Sequence, residues 1–175
     1  WISEYVDIEM PPEDLAHLLT MTGLEVEGME PVGQALDDII VARILGVKPH
    51  PRAERLSICT VDTGRDRVDV VCGAPNAVEG VLAPLILPGG RLPDGRVIAE
   101  TRIRGELSTG MLLAEDEMGL TSDHAGIMIL DPDLVPGARF SSALRFPDHV
   151  FDIAITPNRP DCANVIGIAR EIAAA

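Results

Sequence analysis

Between residues 39 and 149 the sequence is a succession of short β-rich runs, each cut off by a turn that carries glycine or proline. Ile39–Val47 comes first, then Leu56–Val61 after a His-Pro-Arg loop, then Val68–Cys72 after a Gly-Arg-Asp turn. Val81–Leu87 runs into Pro88-Gly89-Gly90, and Pro93-Asp94-Gly95 makes another turn. Thr101–Arg104 and Ile127–Leu130 are further strand candidates, with room for a short helix at Ala114–Gly119. Many short strands over ~110 residues predict a small closed barrel or sandwich.

The flanks read differently. Residues 1–38 predict helix, helix, strand, with Trp1, Tyr5 and Ile8 on one face of the first helix. Pro11 and Pro12 suit the opening turn of the second, Glu13 and Asp14 suit its positive end, and Leu15, Leu18 and Leu19 form its apolar stripe. Leu24, Val26 and Met29 then alternate with Glu25, Glu27 and Glu30, a strand pattern with one acidic face. Residues 150–175 predict a strand at Val150–Ile155, a proline-bearing loop at Thr156–Asp161, and a helix with Asp161 near its start. A segment below ~40 residues rarely folds without staples. The flanks are therefore expected to pair. The predicted fold is α+β with an inserted all-β domain: residues 1–38 plus 150–175 form one discontinuous domain, incomplete at its C-terminus, and residues 39–149 form the barrel.

Charge supports the same division. The whole chain carries a net charge of −14, which argues against gross attraction to nucleic acid or anionic membrane. Residues 1–38 hold 10 acids and no Lys or Arg, whereas residues 39–149 hold 12 basic and 15 acidic residues. Residues 43–67 are locally basic through Arg43, Lys48, Arg52, Arg55, Arg65 and Arg67, and Arg91, Arg96, Arg102 and Arg104 add to that. Brought together, they would form a face able to neutralise phosphates. As separate side chains they are solvated surface arginines. From Glu106 to Ala138 there are seven acids and no Lys or Arg, so that side should repel RNA.

Several chemistries are excluded. No apolar run approaches the ~18–20 residues of a membrane helix, and no secretory signal opens the chain. Three cysteines without a CxxC make neither a disulfide framework nor a zinc site, so Cys59, Cys72 and Cys162 read as buried apolar residues of a cytoplasmic protein. There is no GxxxxGK[ST] loop, no GxGxxG and no HExxH. No catalytic residue, metal ligand or cofactor site is expected. The start at Trp1 and the stop in an alanine run read as a piece of a longer chain.

Three stretches carry the candidate site: HPRAERL at 50–56, CGAPN at 72–76 and RGELSTGM at 104–111. In an OB barrel the loop after the first strand is a usual ligand loop. Gly73, Pro75, Gly105 and Gly110 also suit plain turns, and Asn76 and Ser108 also suit loop caps. No aromatic residue lies between Val6 and Arg139. Single-strand binders stack bases on aromatic rings, so RNA bound here should be read through backbone and shape.

HPRAERL, CGAPN and RGELSTGM in that order resemble the tRNA-binding OB domain of synthetases and their accessory proteins. The opening WISEYVDI, LLTMTGLEVEG, and the closing FDIAITPNRPDCANVIGIAREIAA resemble the N-terminus of the bacterial phenylalanine–tRNA ligase beta family, from Trp1 to the end. The resemblance implies an OB-fold barrel inserted into a small discontinuous α/β domain. It implies a cytoplasmic heterotetramer of two alpha and two beta chains, whose alpha chain carries aminoacylation with ATP and magnesium, while editing lies in later beta domains. This piece would be non-catalytic and would assist binding of the phenylalanine-specific tRNA; DNA and membrane are not expected partners. Lys48, His50, Arg52, Arg55 and Arg104 would be phosphate or sugar contacts, and Asn76 and Ser108 loop hydrogen-bonders. Two alternatives stand beside it: a docking scaffold whose acidic flank faces a partner, and a free-standing OB-type tRNA chaperone.

Overall fold

The structure is a computed structural model that describes residues 1–175. In chain order its elements are α1 (Pro12–Met21), β1 (Glu25–Val32), β2 (Ile39–Pro49), β3 (Ser57–Asp62), β4 (Arg67–Cys72), β5 (Leu82–Ile86), β6 (Thr101–Ile103), β7 (Glu106–Ser108), β8 (Met111–Leu112), α2 (Phe140–Ala143), β9 (Asp148–Ala154) and α3 (Val165–Ala174). They divide into two compact units, residues 1–31 with 149–175, and residues 32–148. No helix is long and apolar enough to cross a membrane.

The first unit packs α1 and α3 with a two-stranded sheet, β1 beside β9. Pro12 opens α1, where its missing N–H costs nothing. The helix ends in paired backbone bonds, Gly23 N–H to the Thr20 carbonyl and Leu24 N–H to the Leu19 carbonyl, at 3.1 and 2.9 Å. Leu15, Leu19 and Leu24 meet Cys162, Ile168 and Ile172 in the core. Two sequence expectations change here. The opening segment makes only a single 3₁₀ turn, Ile2–Glu4; Ile2, Val6 and Ile8 pack inward, and Trp1 is 84% exposed. The start of α3 is set by Asn164, whose Oδ1 accepts the Gly167 N–H at 2.9 Å, while Asp161 belongs to the 3₁₀ turn before it.

The second unit is a nearly closed antiparallel barrel with strand order β4-β3-β2-β5-β8. The fold is therefore α+β with an inserted OB-like barrel. Strand β2 is long because it serves two neighbours. Ile39–Arg43 pairs with β5 and Arg43–Pro49 with β3, and an irregularity between Ile44 and Gly46 bends it. Alternation along β2 and β5 sends side chains to two cores. Ala42, Ile44, Ala83 and Leu85 line the barrel interior; Ile39, Val41, Leu82 and Ile86 face a second layer with Leu36, Leu113 and Phe140. Burial on both faces explains the unbroken apolar run of β5. The barrel closes where Thr109 N–H reaches the Asp69 carbonyl at 2.9 Å and Val71 N–H reaches Ser108 Oγ at 3.0 Å.

Ile127–Leu130 is not a strand. It is held by single bonds, Met128 N–H to the Leu113 carbonyl and Leu130 N–H to the Leu82 carbonyl. The helix expected near Ala114–Gly119 is one 3₁₀ turn, Asp116–Met118, closed by Gly119.

Candidate nucleic-acid interface

The loop after β2 is compact and internally bonded. His50 N–H donates to the Leu56 carbonyl at 3.0 Å, and Leu56 N–H to the Ala53 carbonyl at 3.2 Å. The His50 ring is 5% exposed. Its Nδ1 accepts the Arg52 N–H at 3.0 Å, so Nε2 carries the hydrogen and donates to the Ile103 carbonyl, also at 3.0 Å. His50 thus fastens the 50–56 loop to the β6–β7 hairpin.

That hairpin presents Arg104. Ile103 pairs with Glu106, leaving Arg104 and Gly105 as a two-residue turn with φ of +49° and +98°. Positive φ at both positions defines the turn type that matches strand twist, and Asn-Gly is its usual sequence. A Cβ on Gly105 would meet only the tip of Arg52, Nη1 at 2.8 Å, which can move aside, so the positive φ is what calls for glycine here. Arginine in the left-handed region costs about 1–2 kcal/mol. The hairpin therefore holds its arginine at some expense of stability, and Arg104 Nη1 reaches the Arg52 carbonyl at 3.4 Å.

Together the two loops enclose an open groove of about 870 Å³, lined among others by His50, Arg52, Arg55, Leu56 and Arg104. Lys48 lies beside it at the end of β2, exposed and paired in register with Ile58. The ion pairs of the structure lie elsewhere: Arg96 with Asp94, His124 with Asp116, and Arg159 with Asp161 and Glu171. Lys48, Arg52, Arg55 and Arg104 are thus exposed cations outside any ion pair, and Glu54, between Arg52 and Arg55, is the one carboxylate that lines the groove with them. No Phe, Tyr or Trp lines the groove. The barrel unit's Phe140 and Phe146 stack at 6.0 Å, and Phe140 is fully buried in the second core. The groove presents cations suited to phosphates and offers no Phe, Tyr or Trp for a base to stack on, only the buried His50 ring and the arginine planes.

The remaining candidates lie elsewhere and face inward. Asn76 clasps one residue's backbone twice, Nδ2 to the Ile127 carbonyl at 2.8 Å and Oδ1 from the Ile127 N–H at 3.0 Å. Gly126 lies flat on that amide, where a Cβ would meet Oδ1 at 2.2 Å. Ser108 is buried; its Oγ accepts from Val71 N–H and donates to the Gly110 carbonyl at 3.0 Å. Both are loop hydrogen-bonders within the fold, and neither borders the groove. Of the broader basic face, Arg43 is tied to the Gly80 carbonyl, Arg91 to Gly95 and Arg102 to Gly105, Arg96 pairs with Asp94, and Arg65 and Arg67 are exposed at the β3–β4 turn, outside the groove lining.

Two other clusters have structural explanations. Asp161, Cys162 and Glu171 converge, but the Arg159 Nη2 sits among them at 3.1, 2.9 and 2.8 Å. The guanidinium is the cation there, holding the Asp161 carboxyl below the usual range, chiefly by side-chain hydrogen bonding. His124 bonds Asp116 at 3.0 Å, which raises its pKa, while Asp123 accepts the Ala125 N–H. Gly105 is a turn residue, as its sequence suggested; Ile103, whose carbonyl receives the His50 ring, was missed, and nothing local in the sequence marks it.

Barrel, bonded loop pair and the cations beside them define a class: an OB-like module with a net-basic groove. The chain belongs to the family described as putative tRNA binding domain, whose model matches residues 39–139. Over nearly its whole length it is also similar to phenylalanine–tRNA ligase beta subunits. That of Syntrophus aciditrophicus is 47% identical over 174 residues, covering 99% of this chain and 22% of the relative. That of Syntrophotalea carbinolica is likewise 47% identical over 99% and 22%, and that of Dechloromonas aromatica 42% identical over the same shares. The chain thus spans about a fifth of the length of these relatives.

Proposed function

We propose that this chain is the N-terminal, non-catalytic part of a phenylalanine–tRNA ligase beta chain, and that its barrel assists binding of the phenylalanine-specific tRNA. The observation that carries the reading is the groove, where Arg52, Arg55 and Arg104 converge without ion pairs and Lys48 adjoins. Phosphates entering it replace counterions with fixed guanidinium groups. Arginine's planar donor fork suits phosphate oxygens, and the His50 clasp holds the two loops in register before RNA arrives. Such contacts position RNA without reading its bases. The acidic stretch around Glu115–Glu117 orients the RNA away from that side.

In this reading the alpha chain of a two-alpha, two-beta cytoplasmic assembly supplies aminoacylation with ATP and magnesium. Within this chain, the convergence of Asp161, Cys162 and Glu171 is occupied by the Arg159 guanidinium. Gel-shift titration of the 175-residue chain with tRNA at two salt concentrations tests the barrel's part. Binding that weakens steeply with salt supports it; salt-insensitive binding, or none at low salt, refutes it.

A docking role for the acidic flank is the second reading, favoured by the absence of Lys and Arg from residues 1–38. Reversing Glu25, Glu27 and Glu30 to lysine would then weaken subunit assembly and leave tRNA affinity intact.

A further inference from the structure

Glu54 is the residue of the groove that phosphate binding leaves unexplained. It lines the groove with Arg52, Arg55 and Arg104, and it is exposed there. Arginine stands on both sides of it in sequence, yet it takes part in no ion pair. The local backbone shows how the loop is built. Two tight turns follow one another, Ala53 N–H to the His50 carbonyl at 3.4 Å and Leu56 N–H to the Ala53 carbonyl at 3.2 Å. Pro51 and Arg52 are the middle residues of the first turn, Glu54 and Arg55 those of the second. The Arg52 side chain crosses to the β6–β7 hairpin, where its Nη1 lies 2.8 Å from the point a Cβ on Gly105 would occupy. Arg104 Nη1 returns to the Arg52 carbonyl at 3.4 Å. These two arginines are engaged with each other's loops, and Glu54 keeps its carboxylate for the groove.

A carboxylate in this place works against its neighbours when the ligand is phosphate. It repels each phosphate that the arginines attract. It gains only from a hydrogen-bond donor, since a carboxylate accepts and has no hydrogen to give. Along the sugar-phosphate backbone of a nucleic acid, the phosphate and ring oxygens are all acceptors. The one donor is the ribose 2′-hydroxyl, the group that distinguishes RNA from DNA. A backbone-binding groove that holds a carboxylate is therefore satisfied by RNA and left with an uncompensated repulsion by DNA.

We infer that Glu54 is the residue by which the groove selects RNA over DNA: its carboxylate accepts a hydrogen bond from a ribose 2′-hydroxyl while Arg52, Arg55 and Arg104 hold neighbouring phosphates. This rests on the proposed function and deepens it, because it names what the groove distinguishes. Selectivity arises largely by penalising the competitor. For RNA the hydrogen bond offsets the repulsion; for a backbone without the hydroxyl the repulsion stands alone. The bases take no part, in keeping with contacts that position a nucleic acid without reading its sequence.

The test uses one hairpin sequence made as RNA and as 2′-fluoro RNA, titrated against the 175-residue chain by fluorescence anisotropy at one low salt concentration. Fluorine keeps the A-form helix and has no hydrogen to donate, so the comparison changes the donor and not the shape. The unaltered chain is expected to bind the RNA about tenfold more tightly than the fluorinated form. Glu54→Ala should bind the two forms equally, and the fluorinated form more tightly than the unaltered chain does. Glu54→Gln keeps an acceptor oxygen without the charge, so both affinities should rise and a reduced preference for RNA should remain. Equal affinities in the unaltered chain overturn the inference, as does a preference that persists undiminished in Glu54→Ala. A chain that binds tRNA in a salt-sensitive way but leaves the RNA hairpin unbound also overturns it; in each of these cases the tRNA reading stands. Failure to bind tRNA itself at low salt refutes that reading and this inference together. Circular dichroism checks the fold of each variant, and Glu54→Gln carries the comparison if the alanine variant unfolds.

Discussion

Arg104 occupies a backbone position that its own chemistry disfavours, and the strain can be separated from the charge. Its φ of +49° places it in the left-handed region, followed by Gly105 at +98°. Asparagine tolerates that region far better, so Arg104→Asn should relieve about 1 kcal/mol of strain. Its only side-chain bond within the protein is the long one to the Arg52 carbonyl, at 3.4 Å and exposed, so little is lost in return. For a barrel of this size the relief corresponds to a midpoint rise of about 4 °C in the barrel's thermal transition. The same change removes one cation from the groove, which should lower the slope of log affinity against log salt by about 0.7–0.9. Arg104→Lys keeps the charge and the strained backbone, so its midpoint and its salt slope should stay near those of the parent. Differential scanning calorimetry and tRNA titration at several salt concentrations read the two effects on the same samples. An Arg104→Asn chain that melts lower than the parent, or binds tRNA with an undiminished salt slope, would refute the reasoning.

Other positions give simpler tests. Gly126→Ala should drive a methyl into the Asn76 amide and break both bonds to Ile127, costing about 1–3 kcal/mol in a urea titration. Ser108→Ala should leave the Val71 N–H without its acceptor at the barrel seam, at a similar cost of about 1–3 kcal/mol, and amide exchange at Val71 should quicken while the groove's cations stay in place. Asp161 has its carboxyl pKa lowered in the folded chain by Arg159. Its contribution is therefore present above the unfolded value of about 3.9 and lost as pH falls through the lower folded value. Thermal melts of Arg159→Met on the acid side should show a shallower loss of stability than the parent; an identical profile would refute the link.

Some of this architecture is written in local pattern and some only in contacts between distant residues. Strands β2 to β5 follow directly from β-branched runs between glycine and proline turns, and α1 follows from Pro12, its acidic first turn and its leucine stripe. The expectation for Trp1 and Tyr5 failed because helical spacing over eight residues says nothing about which face a partner covers; Ile2, Val6 and Ile8 are the residues that the core takes. Ile127–Leu130 looks β-rich but finds carbonyls of Leu113 and Leu82 only singly, so composition alone could not separate it from a paired strand. The groove shows the same division. Its cations were evident as types and as a cluster in sequence. The convergence of Arg52 and Arg104 rests on the His50 ring spanning 53 residues to Ile103, a contact that no spacing rule encodes. The inward roles of Asn76 and Ser108 likewise depend on Ile127 and Val71, partners 51 and 37 residues away.

The proposed function requires the four cations at one end of the barrel to bind the backbone of tRNA by charge alone. The most direct measurement compares the salt dependence of tRNA affinity for the parent chain and for a chain with Lys48, Arg52, Arg55 and Arg104 all changed to alanine. Four phosphate contacts predict a parent slope of about −3 in log affinity against log salt, flattened nearly to zero in the quadruple variant. Equal slopes in the two chains, with affinity unchanged, would place the RNA surface elsewhere on the molecule and contradict the claim.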